Sequence, residues 1–143
     1  MPARYAMIAP QPPGRDDVEF SSQRLADVVV AAPVGQIDHS NAERLKQALA
    51  PTVDGLEQNT AALVLDFTGV EYISSMGLRV LLMAAKQLRA RKARIAVAAL
   101  QPVVKEIFDI ARFNHVLEVF PTTRAALEHV SPAALAAYDA ALR

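Results

Sequence analysis

The chain is organised around Ile73-Ser74-Ser75-Met76-Gly77-Leu78-Arg79 (residues 73–79), which joins a predicted strand to a predicted helix. The run before it, residues 61–67, is apolar at nearly every position, as in a strand that is covered on both faces. After it, apolar residues recur at helical spacing and indicate one buried helix face: Leu78, Leu81, Leu82, Ala85 and Leu88. This order predicts two serine hydroxyls at a helix N-terminus, where the first backbone N–H groups lack intrahelical partners.

Two interpretations of Ser74 and Ser75 follow from this position. Serine is a preferred N-cap residue, so either hydroxyl could simply accept a hydrogen bond from one unpaired N–H group. A helix N-terminus also favours negative charge, which suits a bound or covalently attached phosphate. The local sequence leaves both interpretations open.

Composition predicts one globular domain, because 52% of the 143 residues are hydrophobic. The 15 basic and 15 acidic residues cancel, so no bulk charge directs the chain to nucleic acid or to a membrane. The absence of cysteine excludes disulfides and thiolate chemistry. No apolar run approaches the ~20 residues of a membrane helix. We therefore expect a cytoplasmic protein with no membrane insertion and no direct contact with nucleic acid.

Recognisable catalytic motifs are missing from the sequence. It has no glycine-rich phosphate loop with lysine and no dinucleotide fingerprint, and the glycine that a nucleophile elbow needs before Ser75 is absent. Asp66 is expected to bond loop amides at a strand end rather than to pair with Glu71 for acid–base chemistry. The histidines are far apart and have no metal-binding spacing: His39, His115 and His129. We expect no catalytic residues, no cofactor and no metal.

The remaining pattern predicts an α/β fold with a mixed sheet of about five strands, packed with helices. Residues 1–14 are rich in proline and are expected to form a tail outside the core. An antiparallel hairpin of residues 18–24 and 27–34 comes first. Strands and helices then alternate, which predicts parallel pairing with right-handed crossovers and further strands over residues 95–100 and 116–120.

Local signals predict how several helices begin and which faces they bury. After a loop over residues 35–40, Ser40 and Glu43 match a capping box, so a helix is expected from Asn41. Pro102 suits the first turn of another helix, whose expected buried residues are Val103, Ile107, Ile110 and Ala111. Thr122 or Thr123 is expected to cap the next one. The basic cluster of residues 89–94 is expected to be a solvated helix end.

The C-terminal segment, residues 131–143, is predicted to be a helical extension of a domain that spans residues 15–130. Ser131-Pro132 is a helix-start pair, and Leu135, Tyr138 and Leu142 share one face. Because such a short helix is marginal alone in water, it is expected to dock on its own domain. A weak homodimer contact is the alternative.

One long segment resembles the signature of the STAS domain, the fold of anti-sigma factor antagonists: Leu65-Asp66-Phe67-Thr68-Gly69-Val70-Glu71-Tyr72-Ile73-Ser74-Ser75-Met76-Gly77-Leu78. Gly35-Gln36-Ile37-Asp38, followed by Asn41-Ala42, resembles the first loop and helix of that family. The resemblance runs from about residue 18 to residue 130. It implies a STAS-type sheet, with an N-terminal antiparallel hairpin followed by parallel βαβ units.

In this family the phosphorylated serine follows an aspartate and precedes a serine and Gly-Leu. Alignment on Gly77-Leu78 puts that serine at Ser75. Ser74 stands where the family has aspartate, and Met76 stands where it has the second serine. Ser74 is therefore the competing phosphorylation site.

The resemblance also implies a partner-switching function. The unphosphorylated domain would bind an anti-sigma factor serine kinase and free the sigma factor; phosphorylation would end the complex, and a serine phosphatase would restore it. The expected partner-binding surface contains Asp38, Ser74, Ser75, Met76, Gly77, Arg79 and Met83. Two alternatives are a non-switching accessory subunit of a lipid-transport ATPase and a small-ligand or nucleotide-binding domain.

Overall fold

The computed structural model describes residues 19–54 and 59–142. The strands are β1 (Glu19–Leu25), β2 (Val28–Ile37), β3 (Ala62–Asp66), β4 (Val70–Ile73), β5 (Arg94–Ala98) and β6 (Glu118–Phe120). The helices are α1 (Ala42–Val53), α2 (Ser75–Ala90), α3 (Pro102–Ile110), α4 (Thr123–Val130) and α5 (Pro132–Ala141), and a 3-10 turn (Phe113–His115) precedes β6. The predicted tail, residues 1–14, lies outside the described residues.

The strands form one mixed sheet in the order β1-β2-β3-β5-β6, in which only the β1–β2 hairpin is antiparallel. This arrangement confirms the predicted α/β fold. The short strand β4 is additional and pairs in parallel with the end of β2. It lies between the predicted central strand and the helix that follows it, where the sequence predicts no further strand.

Strand β2 also continues further than predicted, because β4 supplies it with a neighbour. The expected loop over residues 35–40 is wrong at its start, since Gly35 to Ile37 belong to β2. The register with β4 shifts between Gly35 and Gln36. Gly35 has φ 117°, a value that glycine adopts readily because it has no Cβ.

Helices cover both faces of the sheet, and the alternation along β3 shows how the core is divided. Leu63 and Leu65 belong to the cluster beneath α1, α2 and α3. Ala62 and Val64 belong to the cluster beneath α4 and α5. A central strand with both faces covered reads as a continuous apolar run, which is why the sequence predicted this strand correctly.

The buried face of α3 differs from the prediction by one residue. Val104 and Phe108 are fully buried, whereas Val103 is 54% exposed and Ile110 82% exposed. The predicted stripe of Val103, Ile107, Ile110 and Ala111 is therefore wrong, although Ile107 packs at its edge. The rotation of α3 is set by aromatic packing: Phe108 makes edge-to-face contacts with Phe67 and Phe113, with ring centroids 6.3 and 5.3 Å apart.

The C-terminal helix α5 lies on its own domain. Ser131 caps it by accepting a hydrogen bond from the Ala134 N–H group, 3.1 Å away. The same hydroxyl donates to Asp27 Oδ1 at 2.6 Å, which ties α5 to the β1–β2 turn. Leu135 and Tyr138 pack against the cluster on this face. Leu142 is 68% exposed, so it does not share their buried stripe as expected.

The basic cluster after α2 forms more contacts than a solvated helix end would. Arg91 Nη1 donates to the carbonyl oxygens of Thr52 and Val53, at 2.9 and 2.7 Å. These bonds supply donors to the last turn of α1, whose carbonyl groups lack intrahelical partners. Arg94 pairs with Glu118 at 2.8 Å. Both arginines are exposed, as the prediction of a solvated cluster requires, but they also make these additional contacts.

Candidate partner-binding site

The pairing of β2 with β4 brings the two segments of the predicted site together. Ile37 and Ile73 are neighbours in this parallel ladder, so both strands end at the same edge of the sheet. The Ser74 N–H group donates to the Ile37 carbonyl oxygen at 2.7 Å. Asp38 and Ser74, which follow these two strands directly, therefore start adjacent loops.

The structure gives the two serines different positions. Ser74 is the N-cap of α2, and its half-buried hydroxyl accepts a hydrogen bond from the Gly77 N–H group at 3.2 Å. Ser75 is the first residue of the helix and is exposed. Within residues 19–54 and 59–142, no protein group hydrogen-bonds its hydroxyl. The capping role therefore belongs to Ser74, and Ser75 is accessible.

The Asp38 loop is closed by its own side chains. Asp38 Oδ1 accepts hydrogen bonds from the Ser40 N–H and hydroxyl groups, at 2.9 and 2.6 Å. The bond from the Ser40 hydroxyl is the main cause that holds the pKa of Asp38 below its usual value. This carboxylate is therefore ionised at neutral pH and is half-buried beside the start of α1.

Asn41 stabilises this loop, a role that the sequence pattern did not predict. It is completely buried. Its Oδ1 accepts from the Asp38 N–H group at 2.9 Å, and its Nδ2 donates to the Gln36 carbonyl oxygen at 2.7 Å. These two bonds hold the loop after β2 in one conformation. An asparagine three residues after the loop aspartate is a sequence signal for this role.

The predicted capping box of Ser40 and Glu43 is wrong. The Ser40 hydroxyl is bonded to Asp38, and helix α1 begins at Ala42, one residue later than expected. Asn41 occupies the N-cap position, but its side chain makes no capping hydrogen bond. Both side chains are engaged within the loop: Ser40 by the Asp38 carboxylate, and Asn41 by the backbone of Gln36 and Asp38.

Gly77 is buried and allows α2 to approach the two strands closely. A Cβ atom on this residue would lie 2.7 Å from Ile37 Cγ2 and 2.7 Å from Ile73 Cγ1. Both isoleucines are buried core residues, so neither can easily move aside. Gly77 thus contributes to the site by allowing this close approach.

A groove of about 370 Å³ runs between α1 and α2, and Met76, the residue after Ser75, is the first residue of α2 that lines it. Met76, Arg79 and Met83 line it from α2, and the two methionines are 48% and 46% exposed. Glu43 and Lys46 line it from α1. Such a mixture of flexible apolar and charged side chains is typical of adaptable protein-binding surfaces. The groove thus contains three of the residues predicted to meet a partner.

The acidic and histidine side chains of the described part of the chain are the remaining polar groups of interest. There, no group of three or more acidic or histidine side chains is placed to hold a metal ion. Asp66 has the structural role predicted for it, since its Oδ1 accepts hydrogen bonds from the Thr68 N–H and hydroxyl groups at 3.0 and 2.6 Å. No helix among the described residues is sufficiently long and apolar to cross a membrane.

Comparisons with known proteins identify relatives over most of the chain. BtrV of Bordetella bronchiseptica, a protein assigned as an anti-sigma factor antagonist, is 35% identical over 125 residues, which are 87% of this chain and 98% of BtrV. The crystal structure of an anti-sigma factor antagonist from Mycobacterium paratuberculosis matches with a TM-score of 0.73 at 26% identity, over 82% of this chain and 97% of that one. The unphosphorylated form of the anti-sigma factor antagonist SpoIIAA from Bacillus shares the fold, with a TM-score of 0.66 at 18% identity over 78% and 96% of the two chains.

The family model of the STAS domain matches residues 19–126. This range begins at the first residue of β1, contains every strand of the sheet and ends within α4. The chain therefore belongs to the STAS domain family.

Proposed function

We propose that this protein is an anti-sigma factor antagonist whose unphosphorylated form binds an anti-sigma factor serine kinase and frees the sigma factor. The relatives from Bordetella bronchiseptica and Mycobacterium paratuberculosis, both described as anti-sigma factor antagonists, support this proposal. The observation that carries it is the exposed Ser75 at the first position of α2, beside the Asp38 loop. In this proposal the protein acts in the cytoplasm as a binding protein rather than as an enzyme.

Phosphorylation of Ser75 is the proposed switch. A phosphate adds about −1.5 to −2 charges at neutral pH, and the N-terminus of α2 tolerates this charge within the domain. A partner seated on Ser75 would instead have to bury the dianion, which is costly without a matching cation. A loss of about 2.8 kcal/mol weakens binding about 100-fold. One phosphate is thus sufficient to separate the complex, and removal by a serine phosphatase would restore it.

Ser75 is a better phosphorylation site than Ser74. The Ser74 hydroxyl already caps the helix through the Gly77 N–H group and is half-buried. A kinase would have to displace this bond before it could reach the oxygen. No such rearrangement is needed at Ser75, which is exposed.

Mass spectrometry after kinase treatment tests the proposal. The protein is incubated with ATP and a cognate anti-sigma factor kinase, and tandem mass spectrometry locates the phosphate. We expect it on Ser75, with no modification of the Ser75→Ala variant and normal modification of Ser74→Ala. Phosphate on Ser74 would overturn the assignment. An unmodified protein that co-purifies stoichiometrically with a transporter ATPase would favour the accessory-subunit alternative.

The partner surface in this proposal extends from Asp38 along the groove to Met83. Met83→Glu is expected to weaken partner binding at least tenfold, because it places a charge in an apolar contact. The melting temperature should change little, since Met83 is 46% exposed. Lys86→Glu is the matched control: Lys86 is exposed on the same helix but does not line the groove. A large loss of stability in Met83→Glu would instead assign this methionine to the core.

A further inference from the structure

The guanidinium group of Arg79 has no assigned role in the fold. Arg79 is exposed on α2, and it makes no hydrogen bond or ion pair within the part of the chain that the structure describes. Helix α2 contains no acidic residue that might pair with it. Glu43 lines the facing wall of the groove, but no ion pair joins it to Arg79.

We propose that Arg79 pairs with the phosphate group on Ser75, an inference that rests on the proposed phosphorylation of that serine. The two residues are four positions apart on α2, so their Cβ atoms lie about 5–6 Å apart on one helix face. An anion four residues before a cation is the favourable order for such a pair. The planar guanidinium presents several N–H donors, which match two phosphate oxygens at once.

This pairing links the modification to the groove. Arg79 lines the groove beside Met76 and Met83, so in the unphosphorylated protein its charge is available to a partner. When the guanidinium turns back by one helical turn to the phosphate, the groove loses that cation. Lys46 then remains as the basic side chain of the groove, on the same wall as the acidic Glu43 and Asp54. Phosphorylation therefore both adds negative charge at Ser75 and withdraws a binding residue from the groove.

Phosphorus NMR of the full-length protein tests this pair without a kinase. Phosphoserine is encoded genetically at position 75, and the second pKa of the phosphate is measured by titration. A neighbouring cation favours the dianion and lowers this pKa. Arg79→Gln should therefore raise this pKa by about 0.3 to 0.7, the range that corresponds to a charge-assisted pair of twice the usual strength at this helix spacing.

Lys86→Gln is the matched control. It removes the same charge from an exposed position of α2 that lies 11 residues from Ser75, about 16 Å along the helix. That separation exceeds the screening length of about 10 Å at 0.1 M salt, so the phosphate pKa should be unchanged within about 0.1. Both substituted residues are exposed, so circular dichroism should show that both variants are folded.

Two results would overturn the pairing. One is the same phosphate pKa in Arg79→Gln as in the parent protein, and the other is an Arg79 Nε–H resonance that does not move during the phosphate titration. Neither result would affect the proposed function, because the site of kinase modification is determined separately by mass spectrometry. Conversely, a kinase that modifies another residue would reject the proposed switch whatever the titration shows.

Discussion

Ser75→Glu is expected to weaken binding to the anti-sigma factor kinase by about 100-fold, measured by isothermal titration calorimetry. The substitution places a carboxylate at the exposed start of α2, next to the Asp38 loop. Within the domain this charge is tolerated, because helix N-termini stabilise anions. At a docked interface it would be buried without a partner, and about 2.8 kcal/mol of lost binding free energy corresponds to the expected factor.

Two further variants separate the effect of charge from the effect of removing serine. Ser75→Ala should bind like the parent protein, since it adds no charge and cannot be phosphorylated. Ser74→Ala should lose about 1 kcal/mol of stability with its N-cap, yet it should retain more binding than Ser75→Glu. If Ser75→Glu binds as tightly as the parent protein, Ser75 does not lie in the interface.

Gly77→Val is expected to destabilise the domain by about 2–3 kcal/mol, measured by chemical denaturation. The valine Cβ would lie 2.7 Å from buried methyl or methylene groups of Ile37 and Ile73, and two further carbons would follow it into the same space. Overpacking of a well-filled core typically costs about 1–3 kcal/mol. Valine adds the χ1 restriction of a β-branched residue in a helix.

The stability of Gly77→Ala distinguishes close packing at this position from ordinary helix propensity. At an unconstrained helix position, alanine in place of glycine stabilises by about 1 kcal/mol. At Gly77 the close contacts with two buried isoleucines should cancel or reverse that gain. Ser75→Ala provides the control in the same helical turn, and as an exposed change it should stay within about 0.5 kcal/mol. A clear stabilisation by Gly77→Ala would show that the helix can move away from the strands without cost.

Gly77 also determines where the proposed switch is presented. The close approach of α2 to Ile37 and Ile73 keeps Ser75 at the edge of the sheet where β2 and β4 end. A helix displaced outward would move Ser75 relative to the Asp38 loop. For this reason, a loss of partner binding in Gly77→Val should be compared with its loss of stability before it is attributed to a contact.

Local chemistry in the sequence was sufficient for those features that depend on near neighbours. The apolar run before the motif predicted the buried central strand, because both faces of that strand are covered. Serine and threonine before helical patterns predicted the caps of α4 and α5, which Thr122 and Ser131 provide. Each of these signals lies within a few residues of the feature that it predicts.

The sequence did not determine features that depend on residues distant in the chain. Strand β4 pairs with the end of β2, more than thirty residues earlier in the chain. The rotation of α3 follows from the contacts of Phe108 with Phe67 and Phe113. The hydropathy pattern does not indicate which face of α3 is buried, because apolar residues occur on several sides of that helix.

The division of roles between Ser74 and Ser75 also required the tertiary structure. Both serines suit a helix start, and sequence alone permits either one to be the cap. The bond from the Ser74 N–H group to the Ile37 carbonyl oxygen places Ser74 at the end of β4, and its hydroxyl then caps α2. Ser75 consequently becomes the first helical residue, with its hydroxyl exposed. The strand that fixes this register is separated from the serines by more than thirty residues, so the residues next to the serines do not indicate which of them will cap the helix.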